Sequence, residues 1–132
     1  MPLDIGIGGG GSCVPRPDEP SLQLHNDGYY WFLQPLFAEL RSETGQSIDL
    51  YDDSTFSGTG LAALERVITR AIALVQTQPA CWQVHTGTQM HPEFQELFEE
   101  VRQDRFLELL HNWQEVISRA RNLDRPVVCW GD

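Results

Sequence analysis

The sequence predicts an α+β fold: one helix-rich single domain over residues 1–132 with a small mixed β-sheet and a C-terminal βαβ unit. Three observations carry this expectation. Strand-like alternation of apolar and polar residues recurs at 3–7, 81–89 and 127–130. Apolar residues recur at helical spacing over 61–75 and again over 106–120. The bulk properties also supply a core. A length of 132 suits one domain, and 41% of the residues are hydrophobic, including four Trp, six Phe and three Tyr.

Each element has its own reason. Leu3-Asp4-Ile5-Gly6-Ile7 alternates as a short strand. A Gly/Pro-rich loop follows over 8–20. Gly6, Gly8 and Gly11 match a dinucleotide-binding fingerprint letter for letter, but that motif needs a helix to begin at once. Pro15, Pro17 and Pro20 forbid one, so the nucleotide reading is rejected. Ser21–His25 can form a second strand, and Asn26-Asp27-Gly28 signals a turn. The aromatic run 29–33 then admits two readings. It can pair back as a hairpin with Pro35 opening a helix, or belong to a helix from about 29. Leu33, Leu36, Phe37 and Leu40 favour helix for at least 35–44, with Gly45 as its C-terminal cap.

Residues 48–56 begin with strand-like alternation and end as a loop, and Ser57 or Thr59 can cap the next helix. That helix is the clearest element, with Leu61, Leu64, Val67, Ile68, Ala71, Ile72, Leu74 and Val75 on one face; Pro79 ends it. In the strand 81–89, Trp82, Val84 and Thr86 face one way, and Cys81, Gln83 and His85 the other. Pro92 suits the start of a helix carrying Phe94, Leu97, Phe98 and Val101. The apolar phase slips near Asp104, which predicts a second helix over 104–122 capped by that aspartate. Strand 81–87, this helix and strand 127–130 together predict the βαβ crossover, with parallel strands.

Charge is the strongest functional signal. The formal net charge is −10, with nine arginines and no lysine. Such a balance disfavours nucleic acid and anionic membrane surfaces as partners and favours a basic protein. No run approaches the ~20 apolar residues of a membrane-spanning helix. The start, Met1-Pro2-Leu3-Asp4, has no basic segment of a secretory signal, so a cytoplasmic location is expected. Cys13, Cys81 and Cys129 have no metal-site spacing and read as reduced, with Cys81 and Cys129 buried on strands.

The acids fall into two clusters. Asp49, Asp52 and Asp53 lie beside Tyr51 and Phe56. This segment can be an Asp-rich turn, a recognition loop, a weak cation site or a carboxylate pair for acid–base work. The second cluster, Glu93, Glu96, Glu99, Glu100 and Asp104, contains like charges four apart, which disfavour a helix by roughly 0.2–0.5 kcal/mol per pair. A basic partner would relieve that repulsion; a solvated face is the plain alternative. Partner binding is therefore expected at Asp49, Tyr51, Asp52, Asp53, Phe56, Glu96, Glu99 and Glu100. A rival pocket would gather His85, Tyr51 and Asp49, with Asp52, as a small hydrolase or ligand-binding site. His85 itself reads as a partly buried strand histidine. Cys81 and His85 lie about 13 Å apart along one strand, too far to share a zinc ion. No metal, cofactor or catalytic residue is assigned, and no nucleophile elbow is present. A homodimer burying the aromatic segment 29–37 is a further option.

The strings Tyr30-Trp31-Phe32-Leu33, Ile48-Asp49-Leu50-Tyr51-Asp52-Asp53-x-x-Phe56, Trp82-x-Val84-His85-x-Gly87 and Val127-Val128-x-x-Gly131-Asp132 span most of the chain. Together they resemble a group of small bacterial proteins whose motifs carry no assigned chemistry. In size and acidity that group is similar to the immunity proteins of bacterial toxin systems. The resemblance implies a bacterial, cytoplasmic, single α+β domain; the expectation of an immunity-type inhibitor of a basic toxin or nuclease rests mainly on charge.

Overall fold

Two antiparallel sheets and three helices make up the described residues, 3–9 and 19–131, of the computed structural model. The fold is α+β. The elements run β1 (Leu3–Ile7), β2 (Leu22–Leu24), α1 (Asp27–Thr44), β3 (Ser54–Phe56), α2 (Thr59–Gln76), β4 (Cys81–Gln89), β5 (Gln95–Arg102), α3 (Gln103–Asn122) and β6 (Val127–Trp130). Most of the glycine- and proline-rich segment, with Cys13, lies outside the described residues.

The larger sheet has the order β2-β1-β6-β3. Its central ladder joins the two ends of the chain, pairing Asp4 with Trp130 and Ile7 with Val127. Leu3, Ile5, Val127 and Cys129 are fully buried. The long helix α3 crosses β1, β2 and β6, and its Phe106, Leu110, Trp113, Val116 and Ile117 are also fully buried. The second helix packs on α1 and α3 and closes over β3. Ion pairs tie these helices at the surface: Arg66 to Glu43, Arg70 to Glu39, and Arg121 to Glu65 at 2.6 Å. Such exposed pairs contribute only ~0–1 kcal/mol each.

Helix α1 is continuous from Asp27, so the hairpin option for 29–33 does not form. Asn26 caps it, its side-chain oxygen accepting the Gly28 N–H at 2.7 Å. Gly45 ends it at φ 77°, its N–H bonding to Arg41 O. Pro35 sits inside on an exposed position, where its missing N–H leaves only one carbonyl without its helical donor.

Five expectations are corrected. The segment expected as a helix from Pro92 instead runs from residue 95 as strand β5, paired antiparallel with β4 from Gln89↔Gln95 to Cys81↔Arg102. As a strand it sets Glu96 and Glu100 about 13 Å apart instead of one helical turn, which removes the repulsion. The mixed sheet and the parallel βαβ crossover are absent, because β4 is taken by its neighbour β5 while β6 pairs antiparallel with β1 and β3. A hairpin closes a short loop and outcompetes a crossover. Asp104 lies inside the first turn of α3 and is not its cap, its carboxylate accepting the Arg105 N–H. Around β3 the order is reversed: 48–53 is loop and the strand is Ser54–Phe56. Asp49 explains this by folding its carboxylate onto the Tyr51 N–H at 2.8 Å, which turns the chain. Nor does a serine or threonine cap α2; Gly58 does so, at φ 55°.

Candidate functional site

The hairpin β4–β5 forms a separate two-stranded sheet fastened at one end to the body. At its root Val101 is fully buried, and Trp82 meets Phe32 edge-on at 5.4 Å and stacks on Phe106 at 6.3 Å between ring centres. Gly28 of α1 lies against β5 so closely that a Cβ there would stand 2.6 Å from a Val101 methyl. Asn26, besides capping α1, donates to Glu100 O at 3.1 Å.

Beyond the root the hairpin leaves the core. Every residue from 91 to 100 is exposed. Phe94 is 68% exposed, Met90 62% and Phe98 51%. Glu96, Phe98 and Glu100 share one face of β5 with Gln83 and His85 of β4; Leu97 and Glu99 point the other way. His85 meets Phe98 edge-on at 5.3 Å. Among the described ion pairs none involves Glu93, Glu96, Glu99 or Glu100. Negative charge and exposed aromatic surface thus coincide on one projecting element. The Glu100 carbonyl points away from β4, and alternation directs the main-chain groups of Phe98 and Glu96 the same way, along an edge with no neighbouring strand.

The 49–53 loop is organised differently. Asp49 holds the Tyr51 N–H, and Asp53 accepts the Gly131 N–H at 3.0 Å, so two of its three carboxylates are engaged in the loop's own structure. A Cβ on Gly131 would stand 2.4 Å from the Asp52 nitrogen, so the loop lies directly on the end of β6. Tyr51, Asp52 and Asp53 are exposed. Phe56 is fully buried on β3 and is corrected from partner contact to core. The two acid clusters belong to different parts of the fold, one beside β6 and one on the hairpin.

His85, Tyr51 and Asp49 are not brought into any of the four cavities described. His85 is exposed, not partly buried. Cys81 is likewise exposed, and its hydrogen bond to Glu100 pushes the thiol pKa up. Cys129 is buried, which pushes its thiol up to about 12. Among the described residues no three His, Cys, Asp or Glu side chains gather as a metal site needs. No helix there is long and apolar enough to cross a membrane.

Sequence reasoning missed the main concavity. A cleft of about 490 Å³ opens between β2 and the first turns of α3, with His25, Tyr29, Arg102 and Arg105 in its wall. A basic cleft is hard to see in so acidic a chain, because the residues that build it come from three separate segments. Comparison with protein-family models, with curated proteins and with solved structures found no match.

Proposed function

We propose that this protein is a non-enzymatic interaction domain that engages a basic protein partner through the β4–β5 hairpin. One observation carries the reading: Phe94 and Phe98 stand exposed among four glutamates that have no ion-pair partner among the described residues. Exposed aromatics supply contact area, and unpaired acids supply orientation and association rate. The open edge of β5 offers a mode of docking, in which an extended basic segment adds as a third strand. A second copy of the chain is disfavoured on that edge, since it would set glutamate against glutamate. Segment 29–37 offers little to a homodimer, because Tyr29, Leu33, Leu36 and Phe37 are spent in the core. In its most specific form the proposal is an immunity-type inhibitor of a basic toxin or nuclease; size and acidity support that form.

The test is affinity capture from extract of the source organism, using the wild type, a Glu96→Arg/Glu99→Arg variant and a Phe94→Ser/Phe98→Ser variant. A basic protein held by the wild type and lost by both variants is expected. Raising ionic strength from about 0.05 to about 0.5 M, which shortens the Debye length from ~14 to ~4 Å, should release it. Identical capture by all three proteins sinks the proposal.

A further inference from the structure

The cleft between β2 and α3 concentrates positive charge in a chain of net charge −10. Arg102 and Arg105 both stand in its wall with Glu108, and Asp104, beside Arg102 and also acting on Tyr29, offsets part of their charge. Arg102 has a loose, exposed contact with Asp104 at 3.6 Å, and Arg105 forms no ion pair among the described residues. Arg66, Arg70, Arg121 and Arg125 each pair with a glutamate, whereas Arg41 and Arg119, like Arg105, have no ion pair among the described residues. The cleft also adjoins the N-terminal turn of α3, whose dipole adds to the positive potential.

Tyr29 supplies the second, independent sign. Its side chain is only 6% exposed, and its ring packs on Phe106 at 4.7 Å. Burial raises its hydroxyl pKa, so the group keeps its proton and remains a donor. Yet no described residue accepts from it, and the hydroxyl is not sealed in the interior as Trp113 Nε1 is. Tyr29 lines the cleft, which gives that oxygen a surface to face. Leu22 and Leu109 add apolar wall. A volume of about 490 Å³ suits a small organic molecule.

We propose that this cleft binds a small organic anion, a carboxylate or phosphate on an apolar body, with Arg105 and Arg102 holding the anion and the Tyr29 hydroxyl donating to it. The apolar part lies against Leu22 and Leu109. This site is independent of the hairpin and stands whether or not a protein partner docks there.

Isothermal titration of the whole chain with phenyl phosphate and with phenylacetate tests this, with benzyl alcohol as the uncharged control. At least one anion should bind and benzyl alcohol should not; whichever anion binds more tightly identifies the head group. Arg105→Ala, on an exposed helical position, should weaken binding by at least about tenfold, or ~1.4 kcal/mol. Tyr29→Phe removes an oxygen that no described group holds, so it should weaken binding by about tenfold while leaving the melting temperature unchanged. The proposal is overturned if neither anion binds, if benzyl alcohol binds as well as the anions, or if both variants bind like the wild type.

Discussion

Replacing Gly28 with alanine sets two effects of opposite sign against each other. Alanine is the better helix former by about 1 kcal/mol, so propensity alone predicts a more stable protein. The local geometry opposes it. A Cβ at position 28 would stand 2.6 Å from Val101 Cγ2, 2.9 Å from Asn26 Oδ1 and 3.3 Å from Glu99 Cβ. Val101 is fully buried and cannot swing into solvent, and Asn26 Oδ1 is the acceptor that caps α1. Overpacking costs ~1–3 kcal/mol, and loss of the cap adds about 1. The net expectation is a loss of about 1–3 kcal/mol. With an unfolding entropy of ~2.1 cal/mol/K per residue, a chain of 132 residues loses about 3–4 °C per kcal/mol, so the melting temperature should fall by ~4–10 °C. Gly60→Ala is the matched control. It too lies in the first turn of a helix, but nothing stands within 4 Å of its Cβ position. It should raise stability by up to about 1 kcal/mol. Calorimetric scans of both variants decide the matter. If Gly28→Ala melts above the wild type, as Gly60→Ala should, then α1 and β5 do not press together as described and the attachment of the hairpin is misread.

Two further expectations concern stability. Burial pushes the Cys129 thiol up to about 12, whereas in the unfolded chain it ionises near its ordinary value of 9.0. The unfolded state therefore loses the proton first. This contribution is intact below about pH 9 and fades as pH climbs towards 12; Tyr29 and Tyr30, also raised by burial, act in the same direction above pH 10. Urea denaturation across that range should show stability falling with pH, and Cys129→Ala should flatten the slope. Arg125 donates from Nε to Gly8 O at 2.7 Å and from its guanidinium to Glu19, holding the start of the sheet to the α3–β6 connection. Arg125→Ala should cost ~1–2 kcal/mol, read as a lower urea midpoint, because it strips a half-buried acceptor and a half-buried carboxylate of their donor. An unchanged midpoint would show that this clasp carries no stability.

What the sequence made legible follows the strength of local signals. The apolar stripe of α2 and that of α3 from Phe106 onward are long, and both helices lie where the spacing puts them. Gly45 was readable as a cap because only a left-handed residue ends a helix that way. Segment 94–101 misled because Phe94, Leu97, Phe98 and Val101 fit helical spacing, although in the fold only Val101 is buried. The phase slip near Asp104 was a true signal with a different cause: it marks the junction of β5 and α3, where the repeat changes from two residues to 3.6. The repulsion between Glu96 and Glu100 was the clue against a helix. At the candidate sites, the acids of the hairpin were visible in sequence. Their coincidence with Phe94 and Phe98 was not, because it depends on those aromatics turning outward from a strand. Phe56 shows the reverse case, an aromatic beside acids whose strand direction sends it inward. The basic cleft was invisible because β2, α1 and the β5–α3 junction meet only in three dimensions.

The order of strands in the larger sheet has a consequence for how the chain acquires its structure. Among the described residues strand β3 pairs with β6 alone, and β1 has the three-residue β2 on one side and β6 on the other. The ladder between residues 4–7 and 127–130 joins segments far apart in sequence, so the loop it closes is long. As the polypeptide leaves the ribosome, α1, α2 and the β4–β5 hairpin can form from local contacts, while the sheet under α3 must wait for the last strand. A nascent chain stalled before residue 127 lacks the strand that pairs with both β1 and β3, and in this interval the unfinished sheet offers a chaperone surface to hold.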